Sequence, residues 1–499
     1  MNAPHPAPSA TNAPPRQVTA ALWILLAAAA CFLILNRLVT QSFFFDGTIY
    51  ASIARNMAEG TGSAWSPHFS STLFPVFAEH PPLMMWLESL GFRVFGDTIA
   101  VEKGFSLLTF LAAALLLWNI WARLHNGDVE MQRAAPLALF MALVAGRLNW
   151  AFGNGMLENL LMVFTSAAVL FVVTAYDGRE KTSAVSRTAL IACAGLATAL
   201  ALLTKGPVGL FPLAAPALYW LSTPQPSFRA VVFDSVILLV VIVLFYLALW
   251  SFEAPRQAIQ RYLDAQLLPS LAGERGHGGG GWTAVRTLLR VNAYPVVLTV
   301  LALAVTRRWR RVHGDAFLRT QRLRRAAYLF LLGSSASLPL LASPRIASFY
   351  FNPALAYFAA GLCTLCAPAV FDGLGKLGPL SRRRFYAGAT GLLAISLITV
   401  GWNFGRPGED RQAIENAGRI AGAVCAGHAL CADTVSGCGM ALEDWALYAY
   451  MQRYYKISIA PFSSFAAEYI IADDTCRSDP RYNDAGISIA PYRLLRLGN

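Results

Sequence analysis

Apolar segments long enough to cross a lipid bilayer recur along this chain. A membrane-spanning helix needs about 18 or more residues with few charges. Eleven apolar segments near this length are centred at 18–35, 104–121, 136–150, 157–176, 188–204, 206–221, 231–250, 288–305, 326–341, 351–367 and 385–402. Only 14% of the 499 residues are charged and 56% are hydrophobic, whereas soluble domains carry roughly 25% charged residues. We therefore predict an α-helical polytopic membrane protein with eleven transmembrane helices, one adjacent pair of which is alternatively re-entrant.

The distribution of basic residues predicts the orientation in the membrane, because Lys and Arg are enriched in short cytoplasmic loops. If the N-terminus is cytoplasmic, the inner loops carry 18 basic residues and the outer loops carry ten. Eight of the inner ones lie at 307–325, and the formal net charge of the chain is +12. We interpret this cluster as a topology anchor rather than a nucleic-acid site. The prediction is a cytoplasmic N-terminus and a C-terminus on the outer side.

The spans divide the chain into three predicted parts. Residues 1–17 are Ala- and Pro-rich and are expected to form a disordered cytoplasmic tail. Residues 18–402 form the transmembrane domain, with large outer loops at 43–103 and 251–287. Residues 403–499 are polar enough for a separate C-terminal domain, expected to be an α/β domain on the outer side.

Half of the eight cysteines lie in this C-terminal part: Cys425, Cys431, Cys438 and Cys476. An even number of cysteines on the oxidising side of a membrane predicts disulfides. Four cysteines make two bridges with three possible connectivities. The alternatives are free thiols, or a zinc site, which the spacing disfavours because it lacks a paired Cys-x-x-Cys.

Ionisable residues gather at the outer boundary of the predicted spans: Asp46, Glu79, His80, Glu158, Lys205 and Arg345. Charges inside or beside spans are costly, so they mark candidate functional sites. Each of these residues could instead have a purely structural role. Asp46 could cap a helix at 49–57, Glu158 could cap or pair within the bundle, and Lys205 could reach the headgroups from a helix end. The remaining residues could be solvated or contact lipid phosphate.

Acids beside cations at one membrane face suit the transfer of a sugar from a polyprenyl-phosphate donor. A cation would stabilise the charge that develops on the departing phosphate, and a carboxylate would accept the proton of the attacking hydroxyl. The chain lacks the GxxxxGK[ST] loop that binds nucleotide phosphates. A lipid-linked donor is therefore favoured over a nucleotide sugar.

Four short segments carry a resemblance to a known family. Phe-Phe-Asp-Gly-Thr-Ile-Tyr-Ala at 44–51, followed by Glu-His-Pro-Pro-Leu-Met-Met-Trp-Leu at 79–87, resembles the first loop of the GT-C membrane glycosyltransferases. Leu-Thr-Lys-Gly-Pro at 203–207 and Gly-Met-Leu-Glu-Asn at 155–159 are similar to two later family motifs. The bacterial protein O-mannosyltransferases and the lipid A aminoarabinose transferases are the branches that it resembles.

The resemblance implies a role for each candidate residue. Asp46 would be the catalytic aspartate and Glu158 a second acid in the cavity. The implied substrate-binding residues are Glu79, His80, Lys205, Arg345 and Tyr350. Glu79 together with His277 is the implied set for a possible divalent metal, the one cofactor considered. The chain departs from the family at Gly47, where an acidic residue is common, and at His80, where Lys is common.

The prediction is thus an inverting glycosyltransferase of a bacterial inner membrane, with its C-terminus in the periplasm. Its expected partners are a polyprenyl-phosphate-linked sugar, a lipid or glycan acceptor such as lipid A, and membrane lipids, with no nucleic acid. A protein acceptor is the alternative within the class. A transporter or flippase of lipid-linked sugars, whose charges would lie near the bilayer midplane, and a sensor are the alternatives outside it.

Overall fold

A computed structural model describes residues 16–177, 184–223, 225–274, 281–306, 316–341, 343, 346–425, 433–476 and 479–498. His277, Arg345 and Cys431, most of the N-terminal tail, and residues 307–315 of the basic cluster lie outside these ranges.

Long apolar helices form the bulk of the molecule. The membrane part contains α1 (Arg16–Leu38), α2 (Phe45–Ala58), α3 (Leu83–Phe95), α4 (Ile99–Leu124), α5 (Val129–Arg133), α6 (Ala135–Leu143), α7 (Leu148–Phe152), α8 (Leu157–Tyr176), α9 (Ala184–Lys205), α10 (Ala215–Ser222), α11 (Phe228–Trp250), α12 (Glu253–Tyr262), α13 (Leu268–Leu271), α14 (Gly281–Val291), α15 (Ala293–Thr306), α16 (Ala316–Leu341), α17 (Asn352–Gly375) and α18 (Pro379–Asn403). Two 3₁₀ segments, Gly206–Ala214 and Ser348–Phe351, precede α10 and α17.

Helices occupy all eleven predicted segments, but fewer of them are long and apolar enough to cross a bilayer alone. Among the described residues seven helices meet that test, or eight if α14 and α15, bent by 52°, count as one span. The segment 136–150 is divided between α6 and α7, and the segments 188–204 and 206–221 lie in one stretch, Val185–Ser222. The multi-pass membrane architecture is confirmed, while the number of complete crossings stays a prediction.

The first outer loop folds into two helices, α2 and α3, with a short hairpin of β1 (Gly62–Ser63) and β2 (Ser66–Pro67) between them. Pro82 precedes the first residue of α3, and proline is tolerated at a helix start. Buried side chains of α2 and α3 form one apolar cluster with Leu157 and Leu203 of the bundle. The loop is therefore a packed layer over the end of the bundle.

The chain after α18 forms a small α/β domain, as predicted. Its helices are α19 (Arg411–Cys425) and α20 (Trp445–Tyr455), and its strands are β3 (Thr434–Gly437), β4 (Ser458–Pro461), β5 (Tyr469–Ala472), β6 (Tyr482–Ile489) and β7 (Tyr492–Leu497). The strand order is β4-β3-β5-β7-β6, with β3 parallel to β4 and β5, and β7 antiparallel to β5 and β6. A disulfide joins Cys438 to Cys476, and Cys425 is also disulfide-bonded, so these three residues agree with the predicted oxidised state.

The C-terminal domain is joined to the first outer loop by buried charges. Arg453 on α20 forms a bidentate pair with Glu102 of α4 at 2.7 and 3.1 Å, and it also contacts Asp97 at 2.6 Å. The guanidinium of Arg55 on α2, 1% exposed, donates to the backbone oxygens of Gln452 and Arg453. The predicted outer loop and the predicted outer domain therefore lie at the same end of the bundle.

Candidate active site

Asp46 lies in a cavity of about 410 Å³ between the first outer loop, the 3₁₀ segment before α17 and the C-terminal domain. Glu79, His80, Tyr350 and Trp445 also line this cavity. The structure thus brings together four of the predicted site residues, which are up to 304 positions apart in the chain (46 to 350). Trp445, which also lines the cavity, lies on α20 of the C-terminal domain.

The start of α2 fixes the position of Asp46. Phe44 is extended and α2 begins at Phe45, so Asp46 lies in the first helical turn. The alternative that Asp46 caps a helix at 49–57 is therefore wrong, because the helix begins four residues earlier than that alternative requires. A carboxylate in the first turn interacts favourably with the helix dipole.

The structure gives a physical reason for Gly47, one of the two departures from the family pattern. A Cβ atom at this position would collide with the backbone carbonyl oxygen of Asn154. The Asn154 side chain in turn accepts a hydrogen bond of 2.8 Å from the Phe44 amide. Only glycine permits this close approach, which brings the start of α2 against the turn that leads into α8.

The same turn delivers Glu158, the second residue of α8. The Glu158 side chain is 1% exposed and forms an ion pair with Lys205. Its other carboxylate oxygen, Oε2, has no hydrogen-bond partner among the described residues. The alternative that Glu158 pairs within the bundle is therefore correct.

Lys205 is the last residue of α9, which ends because Gly206 adopts a positive φ of +73°. The Lys205 side chain is 11% exposed, and its Nζ lies 5.0 Å from the ring centre of Tyr350. An ammonium over an aromatic face is attracted to the ring electrons. Lys205 is therefore directed inward towards the acids, which excludes the alternative that it reaches out to lipid headgroups.

Tyr50 is influenced by the charges of both Asp46 and Glu158. It was not predicted as a site residue. Burial raises the pKa of the Tyr50 hydroxyl well above its usual value, and the charges of Asp46 and Glu158 raise it further. The phenol of Tyr50 therefore stays protonated. The sequence held a signal for Tyr50, because it lies four residues after Asp46 and hence on the same face of α2.

A second, apolar cavity of about 230 Å³ adjoins the first and shares Phe77 and His80 with it. Its other walls come from the ends of α9 and α11 and from α12 of the second outer loop. Arg261 on α12 lines this cavity, and its Nη2 donates to the backbone oxygen of Trp65 at 3.0 Å. Arg261 was missed as a site residue because its sequence surroundings give no motif.

The C-terminal domain contributes Trp445 to the cavity. The Trp445 ring stacks near Phe74 and Phe45, with centroid distances of 6.4 and 6.2 Å. Asp444 holds the start of α20 by accepting from the Leu447 amide at 2.9 Å. No local sequence pattern predicts this residue, because the contact depends on how two distant parts of the chain pack.

The described residues contain no group of three His, Cys, Asp or Glu side chains placed to hold a metal ion. Glu79 lines the cavity, and its predicted partner His277 lies outside the described residues. The residues that can be placed do not fit a metal site, so we derive no chemical step through a metal.

Comparisons with known proteins agree with this architecture. Residues 79–250 match the family described as dolichyl-phosphate-mannose-protein mannosyltransferase. The chain is 29% identical over 188 residues, 37% of its length, to undecaprenyl phosphate-alpha-4-amino-4-deoxy-L-arabinose arabinosyl transferase 2 of Pseudomonas fluorescens. It is 30% identical over 162 residues, 32% of its length, to the corresponding transferase of Edwardsiella ictaluri. The chain spans 30% and 27% of these two curated relatives, less than a third of either.

Solved structures extend the likeness to the whole chain. ArnT from Cupriavidus metallidurans bound to undecaprenyl phosphate superposes with a TM-score of 0.59 at 14% identity, covering 97% of this chain and 98% of ArnT. The Archaeoglobus fulgidus oligosaccharyltransferase superposes with a TM-score of 0.50 at 16% identity, covering 90% of this chain and 68% of that one. The predicted GT-C fold is confirmed by these two superpositions.

Proposed function

We propose that this protein is an inverting glycosyltransferase that moves a sugar from a polyprenyl-phosphate donor to a lipid or glycan acceptor at the periplasmic face of a bacterial inner membrane. The names of the relatives support the donor class, since both curated relatives are undecaprenyl-phosphate-dependent transferases by name. The ArnT structure, which was solved with bound undecaprenyl phosphate, supports the same class.

One observation carries the proposal: a polar cavity with Asp46 shares a wall with an apolar cavity at the membrane boundary. A polyprenyl-phosphate sugar has the same two parts, a hydrocarbon chain and a polar head. The apolar cavity accommodates the first units of the chain, and the polar cavity accommodates the sugar. The phosphate then lies between them, near His80, which lines both.

Asp46 is the proposed general base. It accepts the proton of the acceptor hydroxyl while the acceptor oxygen bonds to the anomeric carbon of the sugar. The bond from that carbon to the phosphate oxygen breaks at the same time, and polyprenyl phosphate leaves with the electron pair. A single displacement from the face opposite the phosphate inverts the anomeric configuration.

Cations stabilise the departing phosphate in this proposal. The family Lys before the Pro-Pro pair is His80 here, and Arg261 lines the same apolar cavity as His80. The guanidinium of Arg261 supplies the fixed charge that the imidazole lacks when it is neutral. Lys205 adds a second charge from the side of Glu158, and Arg345 stays a proposed ligand outside the described residues.

Purified protein in lipid nanodiscs should test the activity directly. With a polyprenyl-phosphate sugar labelled in the sugar, and bacterial lipid A as acceptor, we expect labelled acceptor and free polyprenyl phosphate in equal amounts. Supplying a peptide rich in Ser and Thr instead tests the protein-acceptor alternative. In sealed proteoliposomes, movement of intact donor across the membrane without cleavage would contradict an enzyme and favour a flippase.

Replacing Lys205 should separate a role in the reaction from a role in packing. Lys205→Ala leaves the Glu158 carboxylate buried without its partner, which costs about 3 to 5 kcal/mol of stability for a buried pair. Adding Glu158→Gln should restore most of the thermal stability, because the unpaired charge is gone. We expect transfer by the double variant to stay about 10- to 100-fold below wild type, as the charge near the phosphate is still missing. Recovery of both stability and transfer would show that the pair only supports packing.

Reporter fusions should test the proposed orientation. A reporter fused after residue 305 is expected to report a cytoplasmic location, and one fused after residue 403 a periplasmic location. Alkaline phosphatase, which is active only in the periplasm, and green fluorescent protein, which fluoresces in the cytoplasm, give opposite signals at each position. A cytoplasmic signal after residue 403 would place the candidate site on the wrong side of the membrane.

A further inference from the structure

A third cavity, of about 650 Å³, lies among α3, α4 and α8 and shares no lining residue with the two cavities of the candidate site. Its walls are mostly apolar, and small residues such as Gly91 and Gly104 leave it open. Leu108 of α4, which lines the cavity, is 63% exposed on the surface of the helix bundle. In a membrane-spanning helix such a face contacts lipid, so we call this cavity the side groove, a groove accessible from the bilayer.

Among the described residues that line the side groove, Glu88 is the one acid. Glu88 on α3 lines it, is 3% exposed, and has an Oε2 atom without a hydrogen-bond partner among the described residues. Burial raises the pKa of Glu88 well above its usual value, the charge of Glu102 raises it further, and Arg453 only partly opposes this. A neutral carboxylic acid can donate a hydrogen bond, and a buried polar group without a partner is destabilising.

We propose that the side groove binds an acyl chain of the lipid acceptor, with the Glu88 carboxyl donating a hydrogen bond to the carbonyl oxygen at the head of that chain. This inference rests on the proposed function and adds the class of acceptor: an acylated lipid. A polyprenyl chain carries no hydrogen-bond acceptor along its length. An acyl chain begins at an ester or amide carbonyl, which the acid matches.

The position of the side groove suits an acceptor. Leu160 and Val163 of α8 line it and follow Glu158 by two and five residues. At about 1.5 Å per residue, the side groove begins roughly 3 to 8 Å along the helix axis from Glu158. The donor chain is proposed to enter beside α9 and α11, so the two lipids would approach the site from different sides.

Gly104 allows the side groove to be filled without disturbing the fold. A Cβ atom at Gly104 meets no atom within 4 Å, whereas one at Gly91 would lie 2.8 Å from a methyl of Val101. Gly104→Leu therefore places a side chain in open space, and leucine is the better helix former. Gly391→Leu on α18 is the matched control, because its Cβ also meets nothing within 4 Å and it is outside the side groove.

The test uses full-length protein in nanodiscs and lipid A that carries a diazirine in one acyl chain. After illumination, we expect labelled peptides from 83–112, with labelling about tenfold lower in Gly104→Leu and Glu88→Leu, as one hydrogen bond and its apolar contacts are worth about that factor. Glu88→Gln, which still donates, and Gly391→Leu should label like wild type.

Two further measurements separate this inference from the proposed function. In the transfer assay Gly104→Leu should raise the KM for lipid A about tenfold while the affinity for polyprenyl phosphate stays unchanged. If wild type transfers no sugar, the proposed function fails, yet the labelling still reports whether the side groove holds an acyl chain. Equal labelling of 83–112 by a diazirine-bearing polyprenyl phosphate, or undiminished lipid A labelling in Gly104→Leu, would overturn the inference.

Discussion

Asp46→Asn is expected to lower the turnover of sugar transfer by about 10² to 10⁴ while changing donor affinity little. Asparagine has nearly the same shape as aspartate and still forms hydrogen bonds, but it cannot accept the proton of the acceptor. Because α2 begins at Phe45 and Asp46 is not its cap, the substitution should leave the helix intact. Turnover is measured at saturating donor with purified variants of matched thermal stability.

A matched control distinguishes the base from a general loss of negative charge in the cavity. Glu79 lines the same cavity, and Glu79→Gln removes one charge there without removing the proposed base. We expect a smaller loss for Glu79→Gln than for Asp46→Asn, together with a weaker dependence of turnover on pH in Asp46→Asn. Near-normal turnover by Asp46→Asn would contradict the assignment.

Arg453→Met should destabilise the protein by about 3 to 5 kcal/mol, because it leaves the buried carboxylate of Glu102 without its partner. Burial alone would lower the pKa of Arg453, but the charges and hydrogen bonds of Glu102 and Asp97 raise it overall, so the guanidinium stays charged. The side chains of Arg453 and Glu102 are 3% and 4% exposed, which leaves little water to replace the pair. A lower Tm and faster proteolysis of residues 403–499 are the expected observations.

The control is Arg496→Met in the same domain. Arg496 pairs with Glu468 at 2.9 Å, but their side chains are 53% and 40% exposed, and exposed pairs contribute about 0 to 1 kcal/mol. Adding Glu102→Gln to Arg453→Met should restore part of the lost stability, because no unpaired charge is then buried. Equal stability of Arg453→Met and Arg496→Met would mean that the buried pair does not hold the domain.

This docking also matters for the site, since α20 carries both Arg453 and Trp445. Arg453 fixes one end of the helix against the first outer loop, while Trp445 at the other end lines the cavity. We therefore expect Arg453→Met to lower transfer as well as stability. Trp445→Ala should lower transfer without the loss of stability, because the Trp445 ring is 40% exposed.

The membrane architecture could be predicted from sequence because its physical signal is local. An apolar run of bilayer length folds as a helix wherever it occurs, and all eleven predicted segments contain helix. The division of 136–150 between α6 and α7 could not be read from hydropathy. It depends on Gly146, which has a φ of +47° and packs against Val291 from a distant helix.

The residues of the candidate site were likewise only partly predictable from the sequence. Asp46, Glu79, Glu158 and Lys205 could be predicted because each is a charge next to an apolar run, where a charge is costly. The pairing of Glu158 with Lys205 could only be suspected, since it depends on how α8 and α9 pack. Trp445 and Arg261 carry no such signal, because an aromatic or basic residue in a polar segment is ordinary. Their contribution depends entirely on tertiary contacts.

The central claim is that the polar cavity of Asp46 and the apolar cavity beside it form one donor site. An experimental structure of the protein with bound polyprenyl phosphate tests it most directly. We predict the phosphate between His80 and Arg261, with the first units of the hydrocarbon chain in the apolar cavity beside α12. A polyprenyl phosphate bound in the side groove, or with its phosphate remote from both cations, would contradict the account.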